Sequence, residues 1–163
     1  MGRPLLAFLL ASARDPLLRK VAPGILAIPL GEPVDTPRIT HILKPITPHY
    51  SRCTQMTTAQ NLGSSFTQSG HLKGKLHKIR VQAIATPATA AFAALLGWLE
   101  GKRGHYLLSS FWANLQDCNA EEMLNLLLAA GRIGLLDIRA AAGIIEIRMD
   151  RFLTPLELEV SNG

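Results

Sequence analysis

Over residues 51–69 the chain sets Gln55, Thr58, Asn61, Ser64, Ser65 and Gln68 on one helical face, short neutral hydrogen-bonding side chains with no carboxylate among them. Such amides and hydroxyls can donate to and accept from base edges, and the major groove of B-DNA admits one α-helix. Gln55, Thr58, Asn61, Ser65 and Gln68 are therefore the candidate base-edge contacts. Directly downstream, His71, Lys73, Lys75, Lys78 and Arg80 lie in a segment that reads as a basic hairpin, and Arg52 stands at the start of the helix. Cations there would neutralise phosphates, which positions a protein on a duplex without reading its sequence. Arg38 and Lys44, on the preceding helix, extend the set. If six of these cations act, affinity is expected to fall by about 10³ or more between about 50 and 200 mM salt.

The charge distribution points the same way. Residues 1–87 hold eleven Lys/Arg against three Asp/Glu, and residues 88–163 hold six against nine, so +8 faces −3. Between Thr36 and Leu99 no acidic residue occurs. A polyanion is the partner such a stretch suits, and an acidic protein surface is the competing one. In that second reading the basic half docks on an acidic partner, and the apolar C-terminal helices form a homodimer or scaffold.

Other chemistries find little support. His71-Leu-Lys73 begins an H-x-K phosphodiesterase pattern, but Lys78 stands near where its acid should follow. Residues 70–74 lack the Walker spacing of a phosphate loop, and the five His form no helical pairs with an acidic neighbour. Cys53 and Cys118 are far apart and in no C-x-x-C pair, which excludes a disulfide-stapled miniprotein and the common zinc spacings. No catalytic residue, cofactor or metal is expected, and the thiols are read as reduced in a cytoplasmic protein. With 48% apolar and 18% charged residues, the chain can bury a core. Trp98, Phe111 and Trp112 fall at helical apolar spacing and are assigned to that core rather than to base stacking.

These side chains need elements to hold them. The apolar run at residues 4–12 is far shorter than the about 20 residues that span a bilayer. It is read as a packing helix, with a signal peptide as the alternative. Pro23-Gly24 is expected to end a short helix over residues 16–22. Thr36-Pro37, as cap and first residue, opens a helix with Ile39, Ile42 and Leu43 on one side, ended by Pro45 and Pro48. Ser51 caps the next helix, whose expected core face is Met56, Ala59, Leu62, Gly63 and Phe66, and Gly70 stops it. Leu72, Leu76, Ile79 and Val81 are the expected apolar members of the hairpin.

In the second half, Thr86-Pro87 opens a helix packed through Phe92, Leu95, Leu96 and Leu99. Another is expected over residues 106–115, and Asn119 with Glu122 forms a capping box for a third. Residues 135–139 and 144–149 read as a hairpin with a Gly-containing turn. An offset of 64 residues lays Asn61-Leu62, Gly70 and Leu72 on Asn125-Leu126, Gly134 and Leu136, and each block closes on Thr-Pro, at 86–87 and 154–155. The element order in each half is that of a winged helix-turn-helix. The expected fold is mainly α with short β-hairpins: an N-terminal helical extension over 1–34, a basic winged unit over 35–86, and a helical region with a second winged-helix-like unit over 87–160.

Residues 59–75 (AQNLGSSFTQSGHLKGK), 85–88 (ATPA) and 131–139 (GRIGLLDIR) resemble the small helix-turn-helix proteins of bacterial phage-defence loci, with the BrxA-type component of bacteriophage exclusion (BREX) systems as the nearest named family. The resemblance follows element order over residues 35–155. It implies a non-enzymatic, double-stranded DNA-binding accessory of a multi-protein antiviral defence complex, with a role in transcription regulation as the related expectation.

Overall fold

The computed structural model describes residues 2–149, and these form two compact units, residues 3–84 and the residues from Ala85 onward together with Gly2. The protein is mainly helical, with two short antiparallel strand pairs. Among the described residues no helix is long and apolar enough to cross a membrane. Thr154-Pro155, expected to close the second repeat, lie outside the described residues.

In the first unit, α1 (Arg3–Arg14) buries Leu5, Phe8 and Leu9 and packs on α2 (Pro16–Leu26) and on α4 (Arg52–Ser69). Residues 3–34 thus pack on the core of the basic half and share one compact unit with residues 35–84. Helix α2 runs through Pro23-Gly24 instead of ending before it. Two gains offset the hydrogen bond a mid-helix proline removes. Ile25 beyond it is fully buried, and Gly24 lets the Ile42 side chain come so close that a Cβ there would lie 2.6 Å from Cγ2.

The next helix, α3 (Thr36–Leu43), is capped one residue earlier than expected, by Asp35, whose carboxylate accepts from the Arg38 amide at 2.9 Å. A carboxylate at this position also suits the positive end of the helix dipole. Ile39 and Leu43 are buried against α4. Strands β1 (Leu72–Lys73) and β2 (Ile79–Arg80) pair Leu72 with Arg80 and Lys73 with Ile79. Residues 31–34 add a third extended segment: Gly31 N donates to Arg80 O, Arg80 N to Glu32 O and Val34 N to Lys78 O, all at 2.8–2.9 Å. The order is therefore helix, helix, extended segment, helix, helix, strand, loop, strand.

The second unit holds α5 (Pro87–Leu99), a 3-10 turn (Gly104–Leu107), α6 (Phe111–Asn114), α7 (Ala120–Arg132), β3 (Asp137–Ala141) and β4 (Ile144–Arg148). Both capping boxes form, Thr86 with Thr89 and Asn119 with Glu122. Helix α5 buries the opposite kind of face from the one expected: Ala90, Ala91, Ala93, Ala94, Gly97 and Trp98 are inside, and Leu99 is 56% exposed. Small residues let neighbouring elements approach, as at Gly97, where a Cβ would lie 3.1 Å from Leu107 Cδ2. The helix expected over 106–115 is broken in two, because Ser110 donates to Leu107 O and accepts from Ala113 N, ending one turn and starting the next. Trp98 and Trp112 are core residues as expected, and Phe111 is half-buried.

The 64-residue offset keeps its register in three dimensions. Gly70 and Gly134 both take positive φ, +91° and +76°, just after their helices, and Leu72 and Leu136 are both buried at the start of the hairpins. Ala59 and Met123, and Phe66 and Ala130, are corresponding buried positions on α4 and α7.

Between α6 and α7, burial beside the Glu122 and Asp117 carboxylates pushes the Cys118 thiol up to about 11. At pH 8 about one molecule in a thousand then carries the thiolate, the nucleophilic form. Iodoacetamide at that pH is expected to modify exposed Cys53 at least about tenfold faster than Cys118, with Cys118 reactivity still rising past pH 10. Peptide mass spectrometry over time checks both rates, and equal rates would contradict the burial of Cys118.

Candidate nucleic-acid interface

Helix α4 has sharply set ends. Ser51 Oγ accepts from Thr54 N at 3.1 Å, and Gly70, at φ +91°, closes the last turn with its N–H on the Phe66 and Thr67 carbonyls. Eighteen residues at 1.5 Å rise give a rod of about 27 Å. Its inner face is Ala59, Leu62, Gly63, Phe66 and Ser69. Gly63 lets α3 approach, since a Cβ there would lie 3.1 Å from Ile39 Cδ1. Phe66 sits in an aromatic cluster with Phe8 at 5.0 Å and His71 at 5.8 Å between ring centroids.

The outward stripe is rotated from the expected one. Asn61 and Gln68 are exposed, as expected, but Gln55, Thr58 and Ser65 are half-buried on the flank, and the Gln55 amide donates to Thr47 O at 3.3 Å. The stripe is completed by Thr57, Gln60 and Ser64. The rotation follows from Met56, which is 47% exposed instead of buried in the core. It borders an open cavity of about 430 Å³ between α3 and α4, which His41, Lys44 and Arg52 also line. Thr57, Ser64 and Ser65 each donate their hydroxyl to the carbonyl four residues back, at 3.1 Å. Toward a ligand these hydroxyls therefore present lone pairs, whereas the amides of Gln60, Asn61 and Gln68 offer donors and acceptors.

The expected cations divide into two groups. Lys44, Arg52, Lys73 and Lys75 are exposed, and Lys78, half-buried, donates through Nζ to Lys75 O at 2.7 Å. Arg38 is partly spoken for: Nη1 donates to Pro33 O at 2.8 Å and lies 3.6 Å from Glu32. An acid just upstream of the acid-free stretch thus reaches into it.

His71 and Arg80 are corrections. His71 was expected among the DNA-binding residues and Arg80 among the phosphate contacts, and both are buried, at 0% and 1% exposure. His71 Nδ1 lies 2.7 Å from Ser69 Oγ, and its ring packs on Phe8 and Phe66. Arg80 crosses beneath the hairpin to the carbonyls of His71, at 3.2 Å, and Val81. Its guanidinium, which carries several donors in a fixed fork, ties the end of α4 to the base of the hairpin.

Within the first unit, the uncharged amide-rich stripe of α4 is therefore bordered by Lys44 and Arg52 on one side and by Lys78 of the β1–β2 loop on another, with Lys73 and Lys75 exposed on the hairpin. Among the described residues no three His, Cys, Asp or Glu side chains are grouped to hold a metal. No protein-family model, curated protein or solved structure matches the chain.

Proposed function

We propose that the first unit is a winged helix-turn-helix that binds double-stranded DNA, with α4 in the major groove and the β1–β2 loop as the wing on the flanking backbone. One observation carries this reading: Gln60, on the acid-free outward stripe of α4 with Asn61 and Gln68, lines one cavity with Lys44 and Arg52 and another with Lys78 of the β1–β2 loop. The element order supports it. A helix, an extended segment, two helices and a hairpin whose second strand pairs with that segment is the arrangement in which a recognition helix precedes a wing. Lys44 and Arg52 at the α3–α4 turn add phosphate contacts on the approach side.

The second unit follows the same order with a different surface. Glu121 and Glu122 stand exposed in the first turn of α7, where they would repel phosphates. Its part in this proposal is packing or self-association. The whole is read as a non-enzymatic accessory subunit of a phage-defence complex of the BREX type, or a transcriptional regulator. The resemblance of residues 59–75, 85–88 and 131–139 to the BrxA-type component supports the former.

The test is fluorescence anisotropy with a labelled random duplex of about 30 base pairs at about 50 mM salt. Micromolar or tighter binding is expected. Absence of binding would defeat the proposal and leave the acidic protein partner as the reading of the basic surface. Within a selected site, Asn61→Ala is expected to relax preference at one base position by about 1–3 kcal/mol. Competition between single-base variants of the site measures this, and a uniform loss across all of them would remove Asn61 from base readout.

A further inference from the structure

Leu76, at the apex of the loop over residues 74–78, is 90% exposed, the most exposed large apolar side chain among the described residues. It does not hang on slack chain. Gly74 takes φ +117°, and a Cβ there would fall 2.0 Å from the His77 carbonyl oxygen, a closure that requires glycine. Across the loop Lys78 Nζ is bonded to Lys75 O at 2.7 Å. The loop is thus braced on both sides of its apex. Lys75, His77 and Lys78 surround the leucine with no acid among them. Leu76 also borders a small cavity of about 120 Å³ whose wall includes Gln60 and Ser64, with Asp35, the carboxylate that caps α3, on the same lining, so the apex stands beside the outward stripe of α4.

We propose that Leu76 is a wedge that enters a base step of the duplex from the minor groove, partly unstacking it, when α4 is seated in the adjacent major groove. The inference rests on the duplex-binding reading above. Apolar side chains used this way include leucine, and they kink DNA by about 20–90° toward the major groove. Phosphates are held by the flanking cations, which leaves the apolar tip to go where phosphates are absent, between the bases. Pyrimidine–purine steps unstack most readily, so the wedge gives the protein a preference for TpA and CpA/TpG steps that no hydrogen bond reads. The amide-rich stripe beside the apex favours a duplex over an anionic bilayer, which offers phosphates but no ordered base edges.

The test uses the full chain and two duplexes of about 24 base pairs, one with 2-aminopurine at its TpA steps and one without such steps, both carrying a donor and an acceptor dye at their ends. Wild type is expected to raise 2-aminopurine emission and end-to-end energy transfer, and to bind the TpA duplex several-fold more tightly. Leu76→Ala, at a position with no packing to lose, is expected to bind within about threefold of wild type on the duplex lacking TpA steps while losing the emission rise, the bend and the step preference. Leu76→Met is expected to keep all three. Binding by wild type without unstacking or bending, or a Leu76→Ala protein that still unstacks and bends the duplex, overturns the wedge and leaves DNA binding standing. No binding of either duplex overturns both readings, and Leu76-dependent binding to phosphatidylserine vesicles in that case assigns the apex to a membrane.

Discussion

Arg80→Ala is expected to destabilise the first unit by about 3 kcal/mol, far more than any other substitution among the basic residues of the hairpin. The side chain is 1% exposed, and its Nη1 donates to the carbonyls of His71 and Val81. Alanine would take the guanidinium donor from the Val81 carbonyl, at about 1–3 kcal/mol when buried, would leave the His71 carbonyl with the Val81 N–H alone, and would empty the space the aliphatic stem fills. Arg80→Lys is expected to recover only part of the loss, since an ammonium on a flexible stem cannot reproduce the planar fork. Lys73→Ala, on the exposed strand position opposite Ile79, should move stability by no more than about 0.5 kcal/mol. Urea unfolding followed by circular dichroism checks all three. A stable Arg80→Ala protein that had lost duplex affinity would return the arginine to the phosphate contacts.

Misplacing Arg80 shows where sequence reasoning runs out. A two-residue strand has no measurable period, so Ile79 and Val81 were expected inside and Arg80 outside, and a slip of one residue reverses every face. The pairing of Leu72 with Arg80 settles it, because directly opposed residues share a face and Leu72 is buried. Nothing local in the sequence states that register. Helix α4 was legible because its ends are: Ser51 and Gly70 do capping chemistry that few other residues do. The same holds for Thr86 and Asn119. Which side of α4 faces out depended on Met56, apolar by type, yet placed over an open groove past the packed part of α3. Gln60 and Thr57 were missed for that reason; the wider run of uncharged polar residues was the signal that contained them. Helix α5 misled in the other direction, since leucine outranks alanine on any hydrophobicity scale while close packing selects the smaller side chain.

Removing His71 and Arg80 from the phosphate contacts, and discounting Arg38 for its ties to Pro33 and Glu32, changes the expected salt dependence in a measurable way. Lys44, Arg52, Lys73, Lys75 and Lys78 remain. With a slope of about −0.9 per neutralised phosphate, five contacts give a log–log slope near −4.5, and a fourfold rise from about 50 to 200 mM salt should weaken duplex binding about 500-fold. Restoring Arg38 and Arg80 would take the slope past −6 and the loss to several thousand-fold, so the two pictures are separable in one titration series. Lys73→Ala with Lys75→Ala is expected to flatten the slope by about 2, with equal loss of affinity on every duplex, because phosphate contacts carry no sequence information. At high salt the double variant and wild type should converge, since the contacts removed are the ones that salt already screens. An unchanged slope in the double variant would take the loop off the DNA backbone, and with it the flanking cations on which the placement of Leu76 between bases depends.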